Sequence, residues 1–247
     1  MKLGNNMILW SKKFSMIYFA SVFVTVVFIL LDKNPAFIFF NLTTLPILIF
    51  GLAQNFRKNQ DMLMPLALVA TTFSFFGDFL MLMDVERSLF KTLGICTFVA
   101  AQTSYGLLYI HSMRMGNRLA PISLSQRLPE IIIGIVLIGY TYHILRQTNE
   151  LFTPSLIYAI FADTVFLLAL SRRFYVSKKS FISVFSGAFL FIMSASLTAI
   201  DFYSTNLLLY ASTIVLYSMA HFLVTNGILI QIQDNVAKNS YQTSIFR

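Results

Sequence analysis

Long apolar runs dominate this chain, with short polar stretches between them. Eight runs approach the ~20 residues that an α-helix needs to cross a bilayer. They cover roughly 14–31, 36–53, 62–83, 89–111, 129–146, 152–171, 180–203 and 206–231. The runs are continuous rather than alternating in short segments, which predicts helices and argues against a membrane β-barrel. Connections between them are short, so consecutive spans are expected to pack antiparallel. The expectation is an all-α polytopic bundle, one membrane domain over 1–247. The first run is longer than the apolar core of a secretory leader, and no small-x-small cleavage site follows it. It reads as a retained span.

Composition agrees with this picture. The chain is 57% hydrophobic and 11% charged, where a soluble domain carries about 25% charged residues. Its net charge of +8 would point to nucleic acid in a soluble protein. Here the basic residues sit in loops between apolar runs, so no nucleic-acid partner is expected and the partner is the lipid bilayer itself. With the N-terminus inside, only Lys33, Arg87, Lys91 and Arg146 of the 18 lysines and arginines fall in outer turns. The positive-inside bias therefore predicts both termini in the cytoplasm. The inner loop "MRMGNRLAPISLSQR" is too short to fold alone, and its basic residues are expected to touch anionic headgroups. The expected location is a multi-pass position in a bacterial cell membrane. Nothing in the sequence speaks to oligomeric state.

Polar residues inside the runs change the picture more. Asp78 lies in the third run, Asp163 in the sixth and Asp201 near the end of the seventh. An ionisable group at the centre of a membrane helix costs about 2.5–3.5 kcal/mol on insertion scales and is a functional candidate for that reason. Asp78 stands about 7 Å from the outer end of its span and Asp201 about 3 Å from its own, at 1.5 Å per residue. Helical spacing puts Thr71, Ser74 and Asp78 on one face, and Gly77 leaves room beside them. Ser194, Thr198 and Asp201 share a face of the seventh run, with Gly187 two turns earlier. Gln102, Tyr105 and Tyr109 line up on the fourth, and Tyr217, His221 and Thr225 on the eighth. Polar groups facing lipid find no partner, so the four stripes are expected to face each other across a polar interior. Tyr109 and Tyr203 also suit an interfacial aromatic belt.

Other chemistries are poorly supported. His111, His143 and His221 fall at different depths, which argues against a three-histidine zinc site. No Gly-rich phosphate loop, HExxH or GxSxG occurs. No metal or cofactor is implied. The single cysteine, Cys96, is expected to be a small packing residue.

The order of motifs along the chain resembles the YhhN family, whose members include lysoplasmalogenases. The resemblance rests on "SFFGDFLML" and "LGICTFVAAQTSYGLLYI", through Ser74, Gly77, Asp78, Gly94, Phe98, Gln102 and Tyr105. It continues through Pro154 and Tyr158, then through Gly187, Ala188, Phe191 and Ser194, and closes with Tyr217, Ala220 and His221. It covers about residues 40 to 230 and implies eight spans. Three positions depart from the family pattern. Ala195 stands where lysoplasmalogenases typically carry a second acid, "NLTTLPIL" lacks the lysine of a Lys-Pro pair, and Gln102 stands where His is common.

The resemblance implies cleavage of the vinyl ether of a lysoplasmalogen, giving a fatty aldehyde and a glycerophospho-amine. Its difficult step is protonation of the vinyl carbon to an oxocarbenium ion. A carboxylic acid kept neutral by burial suits that step, and a second group would stabilise the cation or activate water. Asp78 is the expected general acid, with Asp201 or Asp163 as its partner. Ser74, Gln102, Tyr105, Tyr158, Ser194, Tyr217 and His221 are the expected substrate-binding residues, around a membrane lipid or lysophospholipid. A non-catalytic lipid-binding, sensing or transport protein on the same scaffold is the alternative, favoured by Ala195. Hydrolysis of a different lipid ether or ester is a third reading.

Overall fold

A computed structural model describes residues 10–31, 34–59, 61–83, 88–116, 122–146, 151–204 and 206–245. Among the described residues it contains eight α-helices and no strand: α1 (Lys12–Leu30), α2 (Asn34–Asn59), α3 (Leu63–Met83), α4 (Ser88–Met115), α5 (Leu124–Leu145), α6 (Phe152–Ser171), α7 (Lys178–Ser204) and α8 (Leu207–Ile245). A single 3-10 turn, Arg172–Phe174, follows α6. Seven helices are long and apolar enough to cross a membrane among the described residues. The other, α2, runs for 26 residues with Pro46 inside it. The molecule is an all-helical polytopic membrane bundle.

Each predicted span forms a helix, but several helices outrun their apolar segments. Helix α2 continues to Asn59, α4 to Met115 and α8 to Ile245, while α5 begins at Leu124. All four extensions lie on the side predicted to be cytoplasmic. Backbone carbonyls and amides there can be hydrated, so nothing forces a helix to stop where the hydrocarbon stops. Capping fixes two of the starts. The Ser11 hydroxyl accepts from the Phe14 N–H at 3.1 Å, and the Gln126 side chain accepts from the Ser123 N–H at 3.3 Å.

Helices α7 and α8 form one close pair and α3 and α4 another, and most consecutive helices pack together; α4, however, packs on α6 rather than on α5, against the expectation that all consecutive spans would pair. Glycines permit both approaches. A Cβ on Gly187 would lie 2.8 Å from the Ala220 carbonyl oxygen, and one on Gly227 would lie 3.0 Å from that of Ser180. Between α3 and α4, a Cβ on Gly94 would lie 3.3 Å from the Gly77 carbonyl, and Gly77 itself receives the Phe98 ring. The main core joins α2, α3, α4, α6, α7 and α8 through residues such as Leu52, Ala67, Tyr105, Ala169, Ala188 and Ile228. Helix α5 is peripheral. It packs on α6 and touches α7, and its outer face exposes Ile132, Ile135, Val136 and Ile138.

Three expectations need correction. Cys96 is exposed rather than packed, because it falls on the face of α4 turned away from the bundle. Tyr109 is 1% exposed and belongs to the core, not to an interfacial belt; the Tyr203 side chain lies outside the described residues. Arg172 belongs with the loop cations by its place in the sequence, yet it is completely buried. Its Nε donates to Ser112 Oγ at 2.9 Å, and its Nη2 to Ser180 Oγ at 3.0 Å and Gln231 Oε1 at 2.8 Å. The guanidinium also sits 5.4 Å from the Tyr109 ring centre, within cation–π range. It thereby ties the inner ends of α4, α6 and α7 to α8 through neutral partners. The next residue, Arg173, behaves as a surface cation and pairs with Glu130 at 2.8 Å.

Candidate functional site

The four polar stripes do face inward. Thr71 and Ser74 are buried on α3, Gln102 and Tyr105 on α4, Ser194 on α7, and His221 and Thr225 on α8. Several of these groups spend their hydrogen bonds on backbone. The Ser74 hydroxyl donates to the Ala70 carbonyl at 3.1 Å and that of Thr225 to the His221 carbonyl at 2.8 Å. The Ser194 hydroxyl crosses to the Thr213 carbonyl on α8 at 3.1 Å. Such bonds satisfy a hydroxyl in an apolar setting and leave it little to offer a ligand.

Toward the predicted outer half, the helices separate around a cavity of about 440 Å³. That volume lies in the range of small-molecule sites, ~300–1,000 Å³. Apolar side chains make most of its wall, among them Leu82, Ile95, Ile144 and Ile192. Two carboxyl groups open into it, Asp78 from α3 and Asp163 from α6. Both side chains are half-buried, as expected of groups that face an internal space. The Thr141 hydroxyl donates to Asp163 Oδ2 at 2.9 Å and links α5 to α6 across the wall.

Aromatic rings form the floor around Asp78. The Phe98 ring stands edge-on to Tyr158 at 6.3 Å and to Tyr217 at 6.5 Å between centres. Tyr158 lies within electrostatic reach of both acids, and Gln102 Nε2 donates to its hydroxyl at 3.4 Å. The Tyr217 hydroxyl lies beside Asp78 and Ser74, yet it is buried with no hydrogen bond of good geometry. One layer deeper, the Tyr105 hydroxyl and His221 Nδ1 are 3.0 Å apart. His221 is edge-on to Tyr217 at 4.6 Å and to Phe191 at 4.7 Å. Its Nε2 is buried without a partner.

The expected site residues therefore separate into three groups. Asp78, Asp163, Tyr158, Ser194 and Tyr217 line the cavity. Ser74, Gln102, Tyr105 and His221 stand behind that lining and hold it. Asp201 is on the last turn of α7, and its side chain lies outside the described residues. Ala195, the family's second-acid position by resemblance, faces the cavity, as does Asn41 of α2. Leu45, directly before Pro46, is buried in the core. Sequence reasoning missed the Thr141 bond to Asp163. A threonine in a span is usually self-satisfied, so only the helix pairing could reveal it. Lys91, an outer-turn cation by its place in the sequence, also lines the cavity. Among the described residues no group of three or more His, Cys, Asp or Glu could hold a metal ion.

No curated protein and no solved structure matches the chain. A family model does match, over residues 36–228, and this stretch carries both cavity carboxyls and every ring of its floor. The chain belongs to the YhhN family.

Proposed function

We propose that the protein is a membrane ether hydrolase of the lysoplasmalogenase type, which cleaves the vinyl ether of a lysoplasmalogen with Asp78 as general acid. The observation that carries this reading is the pair of carboxyls, Asp78 and Asp163, on one largely apolar cavity. An apolar space can take the single alkenyl chain.

The reaction then runs in two stages. Asp78 gives its proton to the vinyl carbon remote from oxygen, and the carbon bonded to oxygen becomes an oxocarbenium centre. A water molecule adds there as Asp163, oriented by Thr141, draws off its proton. The resulting hemiacetal breaks its bond to the glycerol oxygen as its own hydroxyl proton passes to that oxygen, which leaves the aldehyde carbonyl and a free glycerol hydroxyl. The products are a fatty aldehyde and a glycerophospho-amine, and the proton drawn from water returns to Asp78. Asp163 stands in for the acid that the family resemblance expects at Ala195. Its carboxyl shares the cavity with Asp78; Asp201, whose side chain lies outside the described residues, is the other candidate for that role. Tyr217, beside Asp78, and Tyr158, within reach of both acids, wall the reacting centre, with Gln102 bonded to Tyr158 and the Tyr105–His221 pair packed behind Tyr217.

The test is aldehyde release from a lysoplasmalogen by purified protein in nanodiscs, followed by mass spectrometry. Wild type is expected to release aldehyde. Asp78→Asn is expected to lower the rate by about 10²–10⁴, the usual worth of a positioned acid. Full activity in that variant would overturn the assignment. The absence of an acid at position 195 favours the second reading, a lipid-binding, sensing or transport protein. Lipid or proton movement in proteoliposomes with no aldehyde from wild type would choose it.

A further inference from the structure

We propose that a small monovalent anion of the chloride class binds the buried guanidinium of Arg172, where the inner ends of α4, α6 and α7 meet α8. The site is separate from the acid cavity. Ser112, which accepts from Arg172, stands fourteen residues beyond Phe98 on α4, about 21 Å along the helix at 1.5 Å per residue. Nothing in the inference depends on the hydrolase reading.

Two imbalances carry it, one of charge and one of hydrogen bonds. Arg172 is 0% exposed. Its Nε and Nη2 donate to Ser112 Oγ, Ser180 Oγ and Gln231 Oε1, all of them neutral. Nη1, with two N–H groups, is buried with no acceptor. Among the described residues no carboxylate pairs with the guanidinium. Glu130 is taken by Arg173, and Asp234 of α8 buries an oxygen that has no partner either. A buried charge is normally paired, and a buried donor normally finds an acceptor.

Helix ends do not make up the difference. The carbonyl ends of α4 and α6 lend the guanidinium partial negative charge, and so does the face of the Tyr109 ring. The start of α7 works against them. Ser180 belongs to the first turn of that helix, where the backbone amides carry partial positive charge, and Lys178 and Lys179 open the turn as exposed cations. An anion on Nη1 gives both N–H groups an acceptor, balances the guanidinium and lies beside a helix N-terminus, a setting that itself favours negative charge. Full enclosure limits the occupant to a single small ion and leaves no room for a phosphate headgroup.

Thermal melting of the full chain in detergent tests this, in potassium chloride against potassium gluconate at equal ionic strength. Wild type is expected to melt about 3–6 °C higher when chloride stands about tenfold above its dissociation constant, since a ligand of the folded state alone stabilises it. Arg172→Gln is expected to lose this response. Arg173→Gln, which removes the neighbouring surface cation, is expected to keep it. Crystals grown in bromide are expected to show an anomalous peak within hydrogen-bond reach of Nη1. Equal melting of wild type in the two salts would overturn the proposal, as would a chloride response that survives in Arg172→Gln. A bromide peak at surface lysines only, or a water molecule alone at Nη1, would overturn it too. If Arg172→Gln does not fold, wild-type melting and the bromide position decide between the same outcomes.

Discussion

At the residue scale, the site turns on where each carboxyl points. Asp78 and Asp163 come from different helices and meet across one cavity that Ala195 also faces. If Asp163 takes the role of an acid missing at 195, then Asp163→Asn should lose most aldehyde release. Adding Ala195→Asp to that variant should restore part of it. A rate that stays at the Asp163→Asn level in the double variant, with the fold intact by thermal melting, would separate Asp163 from that role. Much of this is legible in the sequence. An acid in the middle of an apolar run stands out, and helical spacing identifies the stripes that form the cavity floor and its support. What the sequence conceals is division of labour within a stripe. Ser74 and Asp78 share a face, but the serine bonds its own helix and only the acid reaches the cavity. Arg172 is equally hidden. Beside Arg173 it looks like half of a surface pair, and only tertiary packing separates the two. Arg172→Ala would leave Ser112, Ser180 and Gln231 short of a charged donor, at a cost on the order of 3 kcal/mol. A fall in melting temperature with no change in substrate preference is the expected readout.

At the element scale, glycines distinguish helices that must touch from helices that need not. Gly187→Ala and Gly227→Ala would each press a methyl group on a backbone carbonyl across the α7–α8 seam. Each is expected to destabilise by about 1–3 kcal/mol. Around Gly139 on α5, a methyl group would meet nothing within 4 Å, so Gly139→Ala should be neutral or stabilise by up to about 1 kcal/mol through helix propensity. Thermal melting of the three variants in one detergent checks the contrast, and equal losses in all three would contradict it. Span positions are readable from hydropathy alone, since hydrocarbon imposes the ~20-residue run. Helix ends on the inner side are not. They lie beyond the apolar segments, where water satisfies the backbone and composition no longer marks the boundary.

At the scale of the whole molecule, eight antiparallel helices bring Lys12 of α1 and the end of α8 to the same side, which the basic-residue bias assigns to the cytoplasm. On that orientation the acid cavity is expected in the outer half of the bilayer. In a Cys96→Ser background, a cysteine at Arg146→Cys should react with an impermeant thiol reagent added outside intact cells. One at Lys238→Cys should react only after permeabilisation, and the reverse pattern would invert the molecule. Helix α8 adds a mechanical consequence. Its apolar stretch ends near Gln231, yet the helix runs on to Ile245, about 21 Å further at 1.5 Å per residue. A fluorescent tag fused behind it would ride on a stiff mast, held away from the membrane plane and turning with the bundle, so its polarised emission would report the tumbling of the entire protein rather than the wobble of a tether.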